Sequence, residues 1–325
     1  MTLSPTELTA PSMRDGFVPP YYPPSVRAAR PRGARTYAGI TYAAPVGYRN
    51  LQLDLHVPDD ASAESPAPVV VWIHGGAWMF GGRELLPPNW PLGSVDQLLI
   101  DAGIAVATID YRHAREAAFP AQLHDAKAAI RYLRAFADEL GLDAGRVGVW
   151  GESAGGHLAA LCALVGGDPR LEGSIGVADG DSSVAAAVCF YPVTDVDTMP
   201  AEDHLPEAVT AAMLAQFGEV LPPPTDELLD GSPYTRDEGR RIVSPVQHAR
   251  ADAPPFLFVH GELDRGVPPS QSRELADALT AAGSSAEVVI VPGAEHVFDG
   301  VDPMPQLERA VRFLADTLRR EAVAS

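Results

Sequence analysis

Short apolar runs alternate with longer amphipathic stretches along most of this 325-residue chain. The apolar runs lie at 69–73, 104–109, 147–150, 185–191, 256–260 and 286–291, and the stretches of helical period at 95–102, 121–140, 154–165, 270–282 and 304–320. Strands buried on both faces of a parallel sheet read as nearly continuous apolar runs, because helices cover both faces. The alternation therefore predicts an α/β fold with a mostly parallel central sheet and helices on both faces.

The chain is expected to divide into an arm and one folded domain. Residues 1–35 contain seven prolines, which fix φ and remove backbone donors, so a Pro-rich N-terminal arm is predicted there. Residues 36–325 are expected to form a single domain. It should open with an antiparallel hairpin, because 36–42 and 51–57 alternate apolar and polar residues. Ser94 is the predicted N-cap of the first helix.

One segment, from about 195 to 250, interrupts the alternation because it is rich in proline and acidic residues. It contains a helical pattern over Pro206–Phe217, which the breaker Pro222-Pro223-Pro224 follows. Ligands in open α/β sheets bind outside the carboxyl ends of the strands. We predict that this segment is a small lid-like insertion over that edge.

The overall charge excludes some partners. Acidic residues outnumber basic ones by 43 to 24, which gives a net charge of -19. A surface of this sign repels nucleic acid, and no apolar run approaches the roughly 20 residues that span a bilayer. The first residues lack a signal-peptide pattern, and Cys162 and Cys189 lie in apolar stretches typical of buried thiols, so a cytoplasmic location is expected. Whether the protein is a homodimer is left open.

Gly151-Glu152-Ser153-Ala154-Gly155 lies between a predicted strand and an apolar helix. This is the context of a nucleophile elbow, a strained turn that exposes a serine hydroxyl above the sheet. The glycines let the backbone close up around Ser153. The alternative is a serine that only caps the next helix. As nucleophile, Ser153 would have the backbone N–H of Ala154 as the first donor to an oxyanion.

A second glycine-containing loop, His74-Gly75-Gly76-Ala77-Trp78, directly follows another predicted strand. Adjacent glycines let backbone N–H groups turn toward a ligand, so the N–H groups of Gly76 and Ala77 are the predicted further oxyanion donors. His74 is expected to hold the loop by hydrogen bonds. Trp78 and Met79 are candidate substrate-binding residues, with the core as the equal alternative.

The general base and its acid are predicted from two late loops. Asp264 lies just beyond the apolar run 256–260, and His296 follows the last run, so the order is serine, acid, histidine. Asp264 would fix the tautomer of the imidazole. The alternative acids are Glu262, Asp195 and Asp197. His157 is interpreted as a residue packed against the sheet and His260 as one that holds its loop. The sequence contains no recognisable metal-binding motif, and no cofactor is expected.

The chain resembles, in these motifs, the esterases related to hormone-sensitive lipase. It resembles more closely the bacterial feruloyl-esterase-like branch of that superfamily. The likeness spans about 51–319. It rests on His74-Gly75-Gly76-Ala77-Trp78, Asp110-Tyr111-Arg112, Gly151-Glu152-Ser153-Ala154-Gly155-Gly156-His157-Leu158, Ser244-Pro245, His260-Gly261-Glu262-Leu263-Asp264 and Gly293-Ala294-Glu295-His296. The chain departs from the H-G-G-G signature at Ala77, whose N–H survives but whose methyl narrows the space.

The resemblance implies an α/β-hydrolase fold and a carboxylic ester hydrolase that forms an acyl-enzyme on Ser153. Short-chain, aryl and cinnamoyl esters are the implied substrates. An arylformamidase-type amide hydrolase with the same triad is the alternative, since relatives of this group cleave formamides. An alternative of another class is a ligand-binding protein on a hydrolase fold that has lost its activity. Such chains usually lose the base, whereas Ser153, Asp264 and His296 are all present.

Overall fold

An eight-stranded sheet organises the part of the chain described by this computed structural model, namely residues 30–166, 168–200 and 223–320. Its strands are β1 (Ala34–Ala43), β2 (Leu51–Pro58), β3 (Ala67–Ile73), β4 (Ala105–Ile109), β5 (Leu142–Glu152), β6 (Ala186–Phe190), β7 (Phe256–Gly261) and β8 (Ala286–Val291). They are arranged in the order β1-β2-β4-β3-β5-β6-β7-β8. β1 and β2 form the predicted hairpin, β2 runs antiparallel to β4, and the remaining neighbours are parallel.

Nine α-helices connect or follow these strands within the same residues. They are α1 (Ser94–Asp101), α2 (Ala121–Ala135), α3 (Ala137–Leu140), α4 (Ala154–Leu164), α5 (Pro169–Glu172), α6 (Pro224–Leu229), α7 (Arg236–Val243), α8 (Ser270–Ala282) and α9 (Met304–Arg320). Two 3₁₀ turns lie at Pro245–His248 and His296–Phe298. The mostly parallel sheet with interleaved helices is therefore confirmed.

Successive side chains of a strand point to opposite faces of the sheet. Both faces therefore carry apolar side chains, and helices cover both. Val69, Val71 and Ile73 of β3 belong to one buried cluster together with residues of α2, α4 and α8. Val70 and Trp72 belong to a second cluster with residues of α1 and α9. Each fully buried aliphatic side chain contributes roughly 1.5–3 kcal/mol relative to an exposed one, so two full clusters make the sheet a rigid base for the loops at its carboxyl edge.

Some predicted boundaries were wrong, for local reasons. Ser94 is not an N-cap: α1 begins at Ser94 itself, the cap is the left-handed Gly93, and the buried Ser94 hydroxyl has no partner among the described residues. The single helix predicted over 121–140 is broken at Phe136, which has non-helical φ and ψ, and its last turn ends at the left-handed Gly141.

Several predictions lie wholly or partly outside the described residues. The predicted helix Pro206–Phe217 is among them, as is most of the predicted arm; β1 already begins at Ala34. The lid-like role of 195–250 stays a prediction. In the three described ranges, no helix is both long enough and apolar enough to cross a bilayer.

Candidate active site

Ser153 occupies a sharp turn between β5 and α4. Its φ of 53° and ψ of -119° lie in a region that a residue with a side chain rarely adopts. The flanking glycines permit the turn: a Cβ on Gly151 would come within 2.1 Å of the Gly155 carbonyl oxygen, and one on Gly155 within 2.0 Å of the Ile73 oxygen. The strained strand-turn-helix geometry expected from the motif is therefore present.

The loops after β7 and β8 bring an imidazole and a carboxylate to this serine. His296 Nε2 lies 3.1 Å from Ser153 Oγ, and His296 Nδ1 lies 2.7 Å from Asp264 Oδ2. The three predicted side chains thus form one chain of hydrogen bonds. The Asp264 side chain is fully buried, whereas the imidazole of His296 is 31% exposed. The imidazole of His296 is therefore accessible from outside, whereas the Asp264 carboxylate is shielded from water.

Asp264 is held as a carboxylate by its surroundings. Burial alone would raise its pKa, but hydrogen bonds from His260 and His296 and the backbone N–H of Val267 outweigh burial and hold the pKa below its usual range. Asp264 Oδ1 also accepts from the N–H groups of Gly266 and Val267 at 2.9 and 2.8 Å. A carboxylate with several donors of this kind stays ionised and cannot rotate freely.

The pKa of His296 is raised. Burial acts to lower it, but the hydrogen bond to Asp264 and the charges of Asp264, Glu152 and Glu295 favour the imidazolium and prevail. This direction suits a base that has to hold a proton during the reaction.

The alternative acids have other partners. Glu262 Oε2 accepts from the Gly293 N–H at 3.1 Å, Asp197 pairs with Arg240 at 2.6 Å, and Asp195 accepts from the Asp197 N–H at 2.9 Å. Among the described residues, Asp264 is the acid that contacts His296.

The loop after β3 supplies backbone donors. Gly76 and Ala77 both have positive φ, 108° and 52°. Within the described ranges, the N–H groups of Gly76, Ala77 and Ala154 donate no hydrogen bond. Unpaired donors at the start of a helix and in a glycine loop favour negative charge beside them.

His74 is buried and neutral, as a residue that holds this loop should be. Burial lowers its pKa to about 3. Its Nδ1 donates to the Gly75 carbonyl oxygen at 2.6 Å, and its ring stacks on Tyr111 with 4.3 Å between the ring centres. The Tyr111 hydroxyl donates to the His74 carbonyl oxygen at 3.1 Å. Both residues fix the backbone immediately before the donors.

Trp78 and Met79, the candidate substrate-binding residues, are only 3% and 9% exposed and belong to the apolar core. Trp78 Nε1 donates to His157 Nδ1 at 3.1 Å, and His157 Nε2 donates to the Val243 carbonyl oxygen at 2.7 Å. Burial lowers the pKa of His157 to about 4, so the ring is neutral and can accept from Trp78. Contact of either Trp78 or Met79 with a substrate stays a prediction.

Glu152 takes part in the site, a role that its place in the Gly151–Gly155 motif did not predict. Its buried carboxylate accepts from the Gly75 N–H at 2.6 Å, which ties the strand end before Ser153 to the loop that carries Gly76 and Ala77. The sequence feature that could have indicated this role is a charged residue at the end of an otherwise apolar strand.

The strand order, the strained serine turn and the chain order Ser153, Asp264, His296 define an α/β-hydrolase fold. The chain belongs to the BD-FAE family, whose family model matches residues 53–279. The resemblance inferred from the sequence motifs is thereby confirmed.

The chain is also similar to proteins that are named as esterases. The chain is 32% identical over 278 residues to esterase LipQ of Mycobacterium tuberculosis, covering 85% of this chain and 60% of LipQ. It is 41% identical over 236 residues to carboxylesterase NlhH of the same species, covering 70% of this chain and 66% of NlhH. The chain thus spans about three fifths to two thirds of the length of these two relatives.

Two solved structures share the fold over nearly their whole length. A truncated carbohydrate esterase from gut microbiota has a TM-score of 0.71 and 26% identity, covering 90% of this chain and 99% of its own. The propionate-bound esterase Est2 of Thermogutta terrifontis has a TM-score of 0.65 and 28% identity, and the match covers 91% of this chain and 97% of the Est2 chain.

Proposed function

We propose that the protein is a serine carboxylesterase that hydrolyses short-chain, aryl or cinnamoyl esters through an acyl-enzyme. The observation that carries the proposal is the hydrogen-bonded chain from Ser153 Oγ through His296 to Asp264, at 3.1 and 2.7 Å. The names of the relatives, which are esterases and carboxylesterases, support an ester as the substrate class.

In the acylation step, Ser153 Oγ attacks the ester carbonyl carbon while its proton passes to His296 Nε2. The carbonyl π electrons move onto oxygen, and the N–H groups of Gly76, Ala77 and Ala154 bind the resulting oxyanion. The tetrahedral intermediate collapses, the bond to the alcohol oxygen breaks, and His296 returns its proton to that leaving oxygen. Asp264 stabilises the imidazolium throughout.

In the deacylation step, water takes the place of the alcohol. His296 Nε2 removes a proton from the water as its oxygen attacks the acyl carbon, and the same three N–H groups bind the second oxyanion. Collapse breaks the bond to Ser153 Oγ, which regains its proton from His296. The carboxylic acid leaves and the enzyme is restored, so this chemistry uses only groups of the chain and water.

The test is hydrolysis of p-nitrophenyl esters of increasing acyl length by the wild type, Ser153→Ala and His296→Ala. We expect turnover of the short esters by the wild type and a loss of about 10⁶-fold in kcat for Ser153→Ala. Ser62→Ala is the control, because the hydroxyl of the half-buried Ser62 makes surface hydrogen bonds, donating to the Glu64 carboxylate at 2.9 Å and accepting from the Ser65 N–H at 3.3 Å.

An inert wild type on every ester, or a Ser153→Ala variant that keeps its activity, would overturn the proposal. N-formylkynurenine belongs in the same panel. If the wild type cleaved it in preference to the esters, an amide hydrolase with the same triad would replace the carboxylesterase. Binding of esters without turnover would favour the non-catalytic alternative.

We propose a small-molecule ester as the partner and no binding of nucleic acid or of a membrane. The net charge of -19 supports a small-molecule partner over nucleic acid. We propose a cytoplasmic location, which cell fractionation would test, and size-exclusion chromatography with light scattering would distinguish a monomer from a homodimer.

A further inference from the structure

The turn that carries His296 is strained. Val297 and Phe298, the next two residues, have φ of 57° and 60°, in the left-handed region. A β-branched residue such as valine is an outlier there, because its side chain crowds the backbone. Strain of this kind costs on the order of 1–3 kcal/mol per residue and persists only where the surroundings hold it in place. Something must therefore hold the Val297 peptide.

Two side chains from a distant segment contact that peptide. The Val297 carbonyl oxygen accepts from Asn89 Nδ2 at 3.1 Å and from Trp90 Nε1 at 3.0 Å. The Trp90 ring is also parallel to the Phe298 ring, at 6° with 6.1 Å between the centres, and Trp90 is only 5% exposed. The same two-residue segment thus contacts both left-handed residues.

Asn89 and Trp90 lie between β3 and α1, on the same connection that begins with His74 and carries the predicted oxyanion donors. One connection therefore reaches the site twice. Near its start the Gly75 N–H donates to Glu152, the residue before Ser153, and its later residues Asn89 and Trp90 contact the turn that carries His296.

We propose that Asn89 and Trp90 are positioning residues that set the place of the His296 imidazole through the Val297 carbonyl group. The inference rests on the proposed function and deepens it. Nε2 of His296 has to stay 3.1 Å from Ser153 Oγ while its Nδ1 stays 2.7 Å from Asp264 Oδ2. A displacement of about 1 Å in a catalytic group can cost on the order of 10²-fold in rate. Relaxation of the left-handed turn would move the residue next to the base.

The experiment uses Trp90→Phe, which keeps a ring beside Phe298 and removes the N–H, together with Asn89→Ala and the double variant. Trp72→Phe is the matched control: Trp72 lies in the same aromatic cluster, and its buried Nε1 has no hydrogen-bond partner among the described residues. Asn89 is exposed, so Asn89→Ala should fold and test the contact with the Val297 carbonyl oxygen even if Trp90→Phe folds poorly.

We expect each single variant to lower kcat about 3- to 10-fold and the double variant about 10- to 100-fold, with KM changed less than about twofold. The second-order rate of labelling by a fluorophosphonate, which also needs the base to activate Ser153, should fall in parallel. Trp72→Phe should lose comparable thermal stability and keep its kcat and labelling rate.

Two failures can be distinguished. If the wild type turns over esters but Trp90→Phe and Asn89→Ala match Trp72→Phe in kcat and labelling, the positioning role is wrong and the carboxylesterase stands. If the wild type neither turns over any ester nor reacts with the fluorophosphonate, both the proposed function and this inference fail.

Discussion

The carboxylate of Glu152 and the backbone N–H of Gly75 are 2.6 Å apart and buried. Glu152 is the last residue of β5, directly before Ser153, and Gly75 is the second residue of the loop after β3. The space between them is closed, since a Cβ on Gly75 would come within 2.2 Å of the Glu152 oxygen. The contact therefore fixes the loop after β3 relative to Ser153.

Removal of this acceptor should reduce kcat more than KM. Glu152→Ala leaves the buried Gly75 N–H unpaired, so we expect a loss of about 10- to 100-fold in kcat, below the ~10²- to 10³-fold cost of losing an oxyanion donor. Glu152→Gln keeps an oxygen acceptor and should retain activity within about tenfold. Steady-state kinetics on a p-nitrophenyl ester checks both. Equal activity of Glu152→Ala and the wild type would show that the contact does not position the loop.

The activity should rise with pH through the pKa of His296, because only the neutral imidazole can accept the Ser153 proton. Since that pKa is raised, the midpoint of the acid limb of kcat/KM should lie above the ordinary value of 6.5. A profile across about pH 5 to 9 measures it. A midpoint at or below 6.5 would contradict the geometry.

Asp264→Asn should move the same midpoint downward, because it removes the charge and the hydrogen bond that raise the pKa of His296. The plateau should fall about 10⁴-fold, since the amide no longer fixes the productive tautomer. Glu295→Gln is the control: it removes another charge that raises this pKa, so it should lower the midpoint while keeping the plateau. A midpoint that rises in Asp264→Asn would show that Asp264 does not act on the base.

Gly155→Ala should strongly destabilise the fold, because the new Cβ would lie 2.0 Å from the Ile73 oxygen and 2.5 Å from the His74 oxygen. These are backbone atoms at the end of β3 and in the first residue of the loop after it, so we expect a loss of about 3 kcal/mol or more in the free energy of unfolding. At Gly166 a Cβ meets no heavy atom within 4 Å, and Gly166→Ala should stay within about 0.5 kcal/mol of the wild type. Urea unfolding compares the two, and similar midpoints would refute the tight contact.

Removal of the buried partner of Arg112 should be costly. Asp125 is fully buried, its Oδ1 lies 2.6 Å from Arg112 Nη2, and its Oδ2 accepts from the Arg112 backbone N–H at 2.8 Å. Asp125→Ala leaves an uncompensated buried cation and should lower the free energy of unfolding by about 3–5 kcal/mol. Asp226→Ala, which breaks the exposed pair with Arg236, should cost less than about 1 kcal/mol. Equal effects in denaturant unfolding would contradict the difference in burial.

Much of the fold could be predicted from the sequence because burial requires a regular pattern of apolar residues along each strand and helix. The near-continuous apolar runs at β3 and β5 follow from helices on both faces, and the alternation at β1 and β2 follows from a hairpin. Ser153, Asp264 and His296 could be found because each directly follows or closely trails such a run, and the carboxyl ends of parallel strands meet at one edge. The break at Phe136 left no comparable signal, since 121–140 keeps a helical period across it.

The sequence by itself thus determined the alternating α/β architecture and the loops on which the serine, acid and histidine lie. Only the tertiary structure decided what holds those loops. The contact of Glu152 with Gly75 spans 77 residues, and that of Trp90 with Val297 spans 207. No local pattern encodes such pairs, because each depends on where two separate loops meet above the sheet. The physical reason is that hydrophobic periodicity records burial along one element, whereas a hydrogen bond between loops depends on the relative position of both partners in space.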